Sequence, residues 1–145
     1  MRNAIRWLLA ASLLLLAETS TARETFHDLS VDEAMKGPDS SALHADVPIY
    51  MQGQDHPAVA ENLGVFTSNR RSNGVGKTDE QACARAFVSA IIAFQERAKE
   101  LGGNAVVDIK SITKHNDLVS ATQYRCVAGA TMSNVALTGT VVKLK

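Results

Sequence analysis

The sequence predicts an α+β domain in which one long helix packs on a mainly antiparallel sheet of about four to five strands. Residues 78–101 carry apolar side chains at intervals of three and four, which is the spacing of a helix with one buried face. Gly102 and Gly103 end that helix, and residues 105–112 then alternate as in a strand with one covered face. The later connections are too short for the crossovers that parallel strands need, so the sheet is expected to be mainly antiparallel.

The long helix has a well-marked beginning. Thr78 and Gln81 have the spacing of a capping box, and Asp79 and Glu80 fall in the first turn, where the positive end of the helix dipole favours acidic side chains. The apolar face of the helix comprises Cys83, Phe87, Ala90, Ile91, Phe94, Ala98 and Leu101. Gln95 is expected to lie largely outside this face. Burial of this face against the sheet is the main packing interaction that the sequence predicts.

Two strands are expected before the helix and three after it. Pro48 places the weak strand at 47–51 toward a sheet edge, because proline cannot donate a ladder hydrogen bond, and the run at 63–68 alternates more clearly. Gly139 leaves the last strand either central in the sheet or wrongly assigned. The strands after the helix are predicted at 105–112, 121–131 and 135–144, with a turn at 132–134 and a polar connection at 114–118 that permits a hairpin.

The first residues predict export. Arg2 and Arg6 precede and flank an apolar run of about a dozen residues, and the small residues that a signal peptidase reads follow, ending at Ala22. A membrane anchor is the alternative, but a spanning helix needs about 20 apolar residues. We expect cleavage after Ala22 and a periplasmic protein with no stable membrane anchor. The predicted organisation is a signal peptide at 1–22, a flexible N-terminal arm at 23–46 and a single α+β domain at 47–145.

The charge balance gives no indication of a nucleic-acid partner. The full chain has 15 basic and 15 acidic residues, and loss of Arg2, Arg6 and Glu18 with the leader leaves a net charge of about −1. Proteins that bind nucleic acid or anionic membranes usually carry a basic patch. The pair Arg70 and Arg71 is too short to provide one.

The chain contains two cysteines, Cys83 and Cys126. In an exported protein an even number of cysteines indicates a disulfide before a metal or redox site. Cys83 lies on the apolar face of the helix, and alternation within residues 122–130 directs Cys126 inward. A bridge that closes a loop of about 44 residues would stabilise the fold by about 4 kcal/mol in the chain-entropy model. Two buried free thiols are the alternative.

Residues 71–78 resemble part of a phosphate-binding loop. They end in Gly-Lys-Thr, lie between a predicted strand and a helix, and are followed by an acidic strand residue, Asp108. However, Arg71 occupies the position of the first glycine of the motif, and Thr78 is already explained as a helix cap. We therefore expect no nucleotide partner and no cofactor.

The four histidines form no recognisable metal-binding motif. They lie in polar segments, without the short paired spacings that zinc ligands show. Two of them lie near Asp55 and Asp117 and could contribute to a surface metal site, although solvated loop histidines are the more ordinary interpretation. The four are His27, His44, His56 and His115. No metal ligand is assigned from the sequence.

No nucleophile has the sequence context of a catalytic residue. Ser111, Ser120 and Ser133 lack the glycine-flanked turn of a nucleophile elbow. Cys83 lies on a predicted buried face and has a disulfide partner, whereas a reactive cysteine needs an exposed, stabilised thiolate. We expect the protein not to be an enzyme.

Three short motifs resemble a group of small bacterial domains. They are Gly102-Gly103-Asn104-Ala105-Val106-Val107, Tyr124-Arg125-Cys126-Val127-Ala128-Gly129 and Ala136-Leu137-Thr138-Gly139-Thr140-Val141-Val142. The group includes the YbjQ-type proteins, labelled as heavy-metal-binding, and the Rcs envelope-stress sensor lipoprotein. The chain is most similar, over residues 63–145, to an exported subgroup mislabelled as an excinuclease ATPase subunit. The resemblance implies a helix that is followed directly by a strand of the sheet, and the group has cysteines at both positions. It implies no catalytic residue.

Together these features predict a non-enzymatic binding or assembly module of the cell envelope, which recognises another envelope protein or a second copy of itself. The edge strand at 47–51 and the arm before it are the expected interaction surfaces, because an exposed edge can accept another strand. The alternative is a small-ligand or heavy-metal-binding protein that uses loop histidines such as His56 or His115. A hydrolase ranks third.

Overall fold

The computed structural model describes residues 22–145, and the predicted signal peptide lies outside this described part. Its helices and strands, in chain order, are β1 (Thr25–Ser30), α1 (Val31–Lys36), β2 (Ile49–Met51), β3 (Val59–Asn73), α2 (Asp79–Leu101), β4 (Ala105–Ser111), β5 (Gln123–Ala128) and β6 (Met132–Leu144). Short 3₁₀ turns follow α1 at Pro38–Ala42 and β4 at Thr113–His115. The predicted α+β class, with one long helix on a sheet, is confirmed; the sheet has six strands, one more than the upper end of the expected range.

Strand β6 is the centre of the sheet. One of its edges pairs along nearly its whole length with β3, from Met132 opposite Asn73 to Leu144 opposite Val59. Its other edge pairs first with β5 and then with β4, and β1 and β2 lie outside those two strands. Only the β2–β4 pair is parallel among the described strands, so the sheet is mixed but mainly antiparallel.

Helix α2 begins and ends as its sequence predicts. Thr78 Oγ1 accepts from the Gln81 N–H at 3.2 Å, and Gln81 Oε1 accepts from the Thr78 N–H at 3.0 Å, which is a complete capping box. At the other end Gly102 has a φ of 74°, a left-handed conformation that glycine reaches without steric cost. The predicted apolar face is buried apart from Leu101, which is 39% exposed. The prediction for Gln95 is wrong, because this side chain is only 3% exposed.

The predicted helix-to-sheet disulfide is present. The Cα atoms of Cys83 and Cys126 lie 5.8 Å apart, an ordinary separation for a bridge, and both residues are completely buried. Beside the bridge the rings of Phe87 and Tyr124 stack with their centroids 4.1 Å apart. The disulfide is consistent with an oxidising, exported location. No helix within residues 22–145 is long and apolar enough to cross a bilayer.

The N-terminal segment is part of the folded unit, so the flexible arm predicted at 23–46 is wrong. Strand β1 pairs antiparallel with β5 over six residue pairs, from Thr25 opposite Ala128 to Ser30 opposite Gln123. Helix α1 follows at once, capped by the Ser30 hydroxyl, and packs on α2. The folded unit therefore begins well before residue 47.

Ion pairs fix this segment to the rest of the protein. Asp79, in the first turn of α2, receives hydrogen bonds from Arg23 Nη2 at 2.9 Å and lies 2.9 Å from His27 Nε2. The Arg23 bonds, and then the His27 contact, lower the pKa of the Asp79 carboxyl below its usual range. Asp28 accepts two bonds from Arg125, at 2.8 and 2.9 Å. Because these partners lie more than fifty positions away in the chain, no local sequence pattern indicates that the segment is attached.

Two connections differ from the prediction. Residues 132–134 belong to β6, and the turn before it falls earlier, where the Gly129 N–H donates to Met132 O at 2.8 Å. Residues 114–118 lie in a turn that an antiparallel bridge between Ser111 and Leu118 closes. β4 and β5 do not themselves pair as a hairpin, because they pair with successive parts of the same β6 edge.

Gly139 lies within the central strand, which decides between the two alternatives that the sequence left open. A Cβ at this position would lie 3.1 Å from Ile109 Cγ1 and from Val106 Cγ1, and 3.5 Å from the Phe94 ring. Glycine therefore gives α2 and β4 the room to pack against β6.

Gly103→Ala is expected to reduce the free energy of unfolding by roughly 1–3 kcal/mol through overpacking. A Cβ there would lie 2.9 Å from both Val142 O and Val141 Cγ1, and the carbonyl belongs to the paired backbone of β6. Gly74→Ala is the matched control, since its nearest contact would be 3.6 Å, to Thr131 O. Urea denaturation compares the two variants, and equal stability would contradict the steric explanation.

Candidate binding surface along strand β3

The four histidines do not come together in the structure. His27 contacts the start of α2, His44 lies beside its last turns, His56 packs on a tyrosine of β2, and His115 is exposed in the 3₁₀ turn after β4. Asp117 pairs with a lysine of β4 and not with His115. Within residues 22–145 no three histidine, cysteine or acidic side chains are grouped so that they could hold a metal ion.

Each of the three candidate nucleophilic serines is either bonded to the backbone or buried in the sheet. Ser111 Oγ accepts from the Arg125 N–H at 2.8 Å, and Ser120 Oγ accepts from two backbone N–H groups of the turn before β5. Ser133 is buried in β6. In the described part of the chain none of them is hydrogen-bonded to a histidine, so no nucleophile and base are paired.

The glycine-rich loop before α2 is a closed turn. The Gly74 N–H donates to Thr131 O at 2.8 Å, and Lys77 Nζ donates to Asn73 O at 3.3 Å. The Thr78 hydroxyl caps the helix. The lysine and the hydroxyl that would contact a phosphate are thus bonded within the protein itself.

The longest free sheet edge in the described structure belongs to β3. This strand has 15 residues and pairs only with β6 among the described strands. The strands at the opposite edge, β1 and β2, have six and three residues. An edge strand presents unpaired backbone N–H and C=O groups, which an added strand can bind. Strand β3 is therefore the edge at which an added strand would form the most hydrogen bonds.

The surface predicted at residues 47–51 is less accessible to a partner strand than the edge of β3. Val47 and Met51 are 2% and 1% exposed, and β2 runs parallel to β4 for only three residues. Gln54 Oε1 also accepts from the Met51 N–H at 2.8 Å. Buried side chains and an occupied backbone donor make this strand a poorer interaction surface than the sequence predicts.

Alternate residues of β3 face opposite sides of the sheet. Phe66, Ser68 and Arg70 face α2 and line a groove of about 280 Å³ between the strand and the helix. Val65 faces the side that α2 does not cover and is 67% exposed, and Arg71 lies on that side too, near the turn between β5 and β6. The strand thus has an aromatic ring on one face and an exposed valine on the other, at neighbouring positions near its middle.

The groove side of β3 is partly held by α2. The Arg97 guanidinium lies 5.0 Å from the centroid of the Phe66 ring, within the range of a cation–π contact. Ser68 Oγ is buried and has no hydrogen-bond partner among the described residues. The cation–π contact holds Phe66 at the rim of the groove, next to the free edge.

Opposite charges lie toward the two ends of β3. Glu61, near the start, is exposed and pairs with Lys143 Nζ at 3.2 Å, where both side chains are about half exposed. Arg70, near the end, is exposed and forms no ion pair within the described part of the protein. Both charges lie on the helix side of the sheet. Lys143, the partner of Glu61, approaches Gly102 at the end of α2, and Arg70 lines the groove beside α2.

A β-bulge makes the positions of these charges symmetric. The register between β3 and β6 shifts around Leu63, which is an extra residue in β3. When Leu63 is left out, Glu61 and Arg70 each lie four positions from Phe66, on opposite sides of it. The strand therefore carries a negative and a positive charge at equal distances from its central aromatic residue.

Comparison with protein-family models, with curated proteins and with solved structures gave no match to this chain. The resemblance to YbjQ-type domains therefore stays a prediction.

Proposed function

We propose that this protein is a non-enzymatic assembly module of the periplasm, in which two copies pair along the free edges of β3. The observation that carries the proposal is the self-complementary placement of Glu61 and Arg70 about Phe66. The predicted leader and the buried bridge between Cys83 and Cys126 support an exported setting.

A two-fold axis at Phe66 generates an antiparallel pair of β3 strands. In such a pair, residues directly opposite each other face the same side of the sheet. Glu61 of each copy then lies opposite Arg70 of the other, on the helix side, which gives two equivalent ion pairs. A two-fold interface requires one patch that is complementary to itself, and β3 meets this requirement.

The same arrangement covers exposed apolar surface and selects the partner. Val65 would lie opposite Thr67 of the second copy, so its side chain would lose much of its contact with water. Charges on an edge strand also disfavour pairing with strands that lack the complementary charges. The edge of β3 is thus suited to a second copy more than to an arbitrary β-strand.

Reversal of either charge is expected to weaken the dimer. In Glu61→Arg or Arg70→Glu both symmetric ion pairs become like-charge pairs. Exposed pairs contribute roughly 0.2–1 kcal/mol each, so we expect the dimer Kd to rise roughly tenfold to hundredfold at low salt. Sedimentation equilibrium measures this Kd. Arg71→Glu is the matched control, because it makes the same charge change on the other side of the same strand.

The double variant Glu61→Arg with Arg70→Glu exchanges the two signs and is expected to dimerise more tightly than either single variant, although its new arginine lies beside Lys143. A wild-type protein that stays monomeric at high concentration would contradict the proposal. Equal weakening by the control Arg71→Glu would also contradict it, because general charge repulsion would then explain the effect.

A further inference from the structure

A cavity of about 230 Å³ lies between the N-terminal segment and the first turns of α2. None of its lining residues belongs to β3, so it is separate from the proposed pairing edge. Its apolar wall is formed by Leu29, Ala34, Pro38 and Ala84. Pockets for drug-sized ligands are roughly 300–1,000 Å³, so this one suits a ligand about as large as a side chain.

Tyr124 forms part of the cavity lining. The residue is 1% exposed, and its ring is fixed by stacking on Phe87. Its hydroxyl forms no hydrogen bond with any described residue and, unlike Ser68 Oγ and Ser72 Oγ, it is not sealed from solvent, so it is reached from the cavity. The cavity therefore contains a hydroxyl without a protein partner, to which a ligand can bond.

Two carboxylates of the cavity lining have no cationic partner in the described part of the chain. These are Glu33 of α1 and Glu80 of α2. Burial, together with the charges of both carboxylates, raises the pKa of the Tyr124 hydroxyl, which therefore stays protonated. Both charges thus act on the same oxygen, and the two exposed carboxylates make the mouth of the cavity negative.

The other charges that face the cavity do not cancel this negative potential. Asp39 is paired with Arg85, whose Nε lies 3.4 Å from the carboxylate, so these two side chains add little net charge. The first turn of α2 contributes about half a positive charge, less than the two free carboxylates together. The charge at the cavity mouth therefore favours a cation over an anion.

We propose that this cavity binds an ammonium group on a short aliphatic chain. The ammonium would lie between Glu33 and Glu80 and donate to the Tyr124 hydroxyl oxygen, while the aliphatic chain would lie along the apolar wall. A divalent metal ion fits less well, because no three suitable ligands are grouped in residues 22–145. The amine has two possible sources, a free diamine and a lysine side chain of another protein.

Calorimetric titration of the protein with n-butylamine and with n-butanol tests this binding. The two probes have similar size, and only the amine carries a charge, so we expect butylamine to bind at least about tenfold more tightly. Equal affinity, or no binding of the amine, would overturn the proposal. Putrescine and Nα-acetyl-lysine methylamide then separate the two sources: the tighter of the two identifies the source, and failure of both overturns the site.

Variants of the lining test the assigned contacts. Glu33→Gln, Glu80→Gln and Tyr124→Phe are each expected to weaken butylamine binding roughly three- to tenfold. Glu96→Gln, the same charge change elsewhere on α2, is the control and should bind as the wild type does. Tyr124→Phe should leave the melting temperature unchanged or raised. A lower melting temperature would show that the hydroxyl has a partner within the fold, and would overturn its role as a ligand contact.

Discussion

Replacement of both Cys83 and Cys126 by alanine is expected to lower the free energy of unfolding by about 4 kcal/mol in the chain-entropy model. The two cysteines are separated by 43 positions, so their bridge closes a long loop and restricts the unfolded chain strongly. Both residues are fully buried between α2 and the sheet, so their replacement also removes packed atoms from the core. The melting temperature should fall by roughly 10–25 °C.

Urea denaturation with and without reductant separates the bridge from the packing. Reductant should lower the midpoint of the wild-type protein once the chain unfolds, and should leave the midpoint of the double variant unchanged. A double variant that is within about 1 kcal/mol of the wild-type protein would show that the bridge contributes little.

Gln95→Leu is expected to lower the free energy of unfolding by roughly 3 kcal/mol. Gln95 Oε1 accepts from the His44 N–H at 2.9 Å, and its Nε2 donates to His44 O at 3.0 Å and to Val47 O at 2.9 Å. Leucine has similar size but leaves the His44 N–H and Val47 O without a partner, while His44 O keeps the bond from the Val47 N–H. The amide therefore fixes the segment between α1 and β2 to the long helix.

Glu96→Leu is the matched control for this variant, because the neighbouring residue is exposed and forms no hydrogen bond in the described structure. We expect its stability to stay within about 0.5 kcal/mol of the wild-type value. Hydrogen exchange of the His44 amide, whose N–H donates to Gln95 Oε1, should become faster in Gln95→Leu alone. Similar behaviour of the two leucine variants would contradict the role given to Gln95.

The features that the sequence predicted correctly depend on residues close together in the chain. The capping box joins Thr78 to a residue three positions later, and the glycine stop follows directly from the conformation of Gly102. The disulfide needed only two inward-facing positions, Cys83 on the helix and Cys126 on a strand, in a chain with no other cysteine. Local periodicity gives this information without knowledge of the sheet order.

The features that were missed depend on distant partners. Strand β1 is polar and irregular in sequence, and it is stabilised by pairing with β5 and by bonds such as that between Arg125 and Asp28, 97 positions apart. Gln95 looks like a solvent-facing residue of α2 until the backbone of His44 is placed beside it. No local pattern predicts such contacts.

The candidate surface also could not be predicted from the sequence alone. The chain pointed to strand addition as a mode of binding, but the free edge is set by strand order, which places β3 outside β6. The symmetry of Glu61 and Arg70 appears only when the bulge at Leu63 is known, because the plain residue numbers place them at unequal distances from Phe66.

Mixing the two charge-reversal variants is the most direct test of pairing through β3. Glu61→Arg alone places two basic side chains opposite each other, and Arg70→Glu alone places two acidic ones, so each should sediment as a monomer at concentrations where the wild type is dimeric. An equimolar mixture restores opposite charges in both pairs, and it should sediment as a dimer containing one copy of each variant. A mixture that remains as monomeric as its separate components would contradict the β3 pairing.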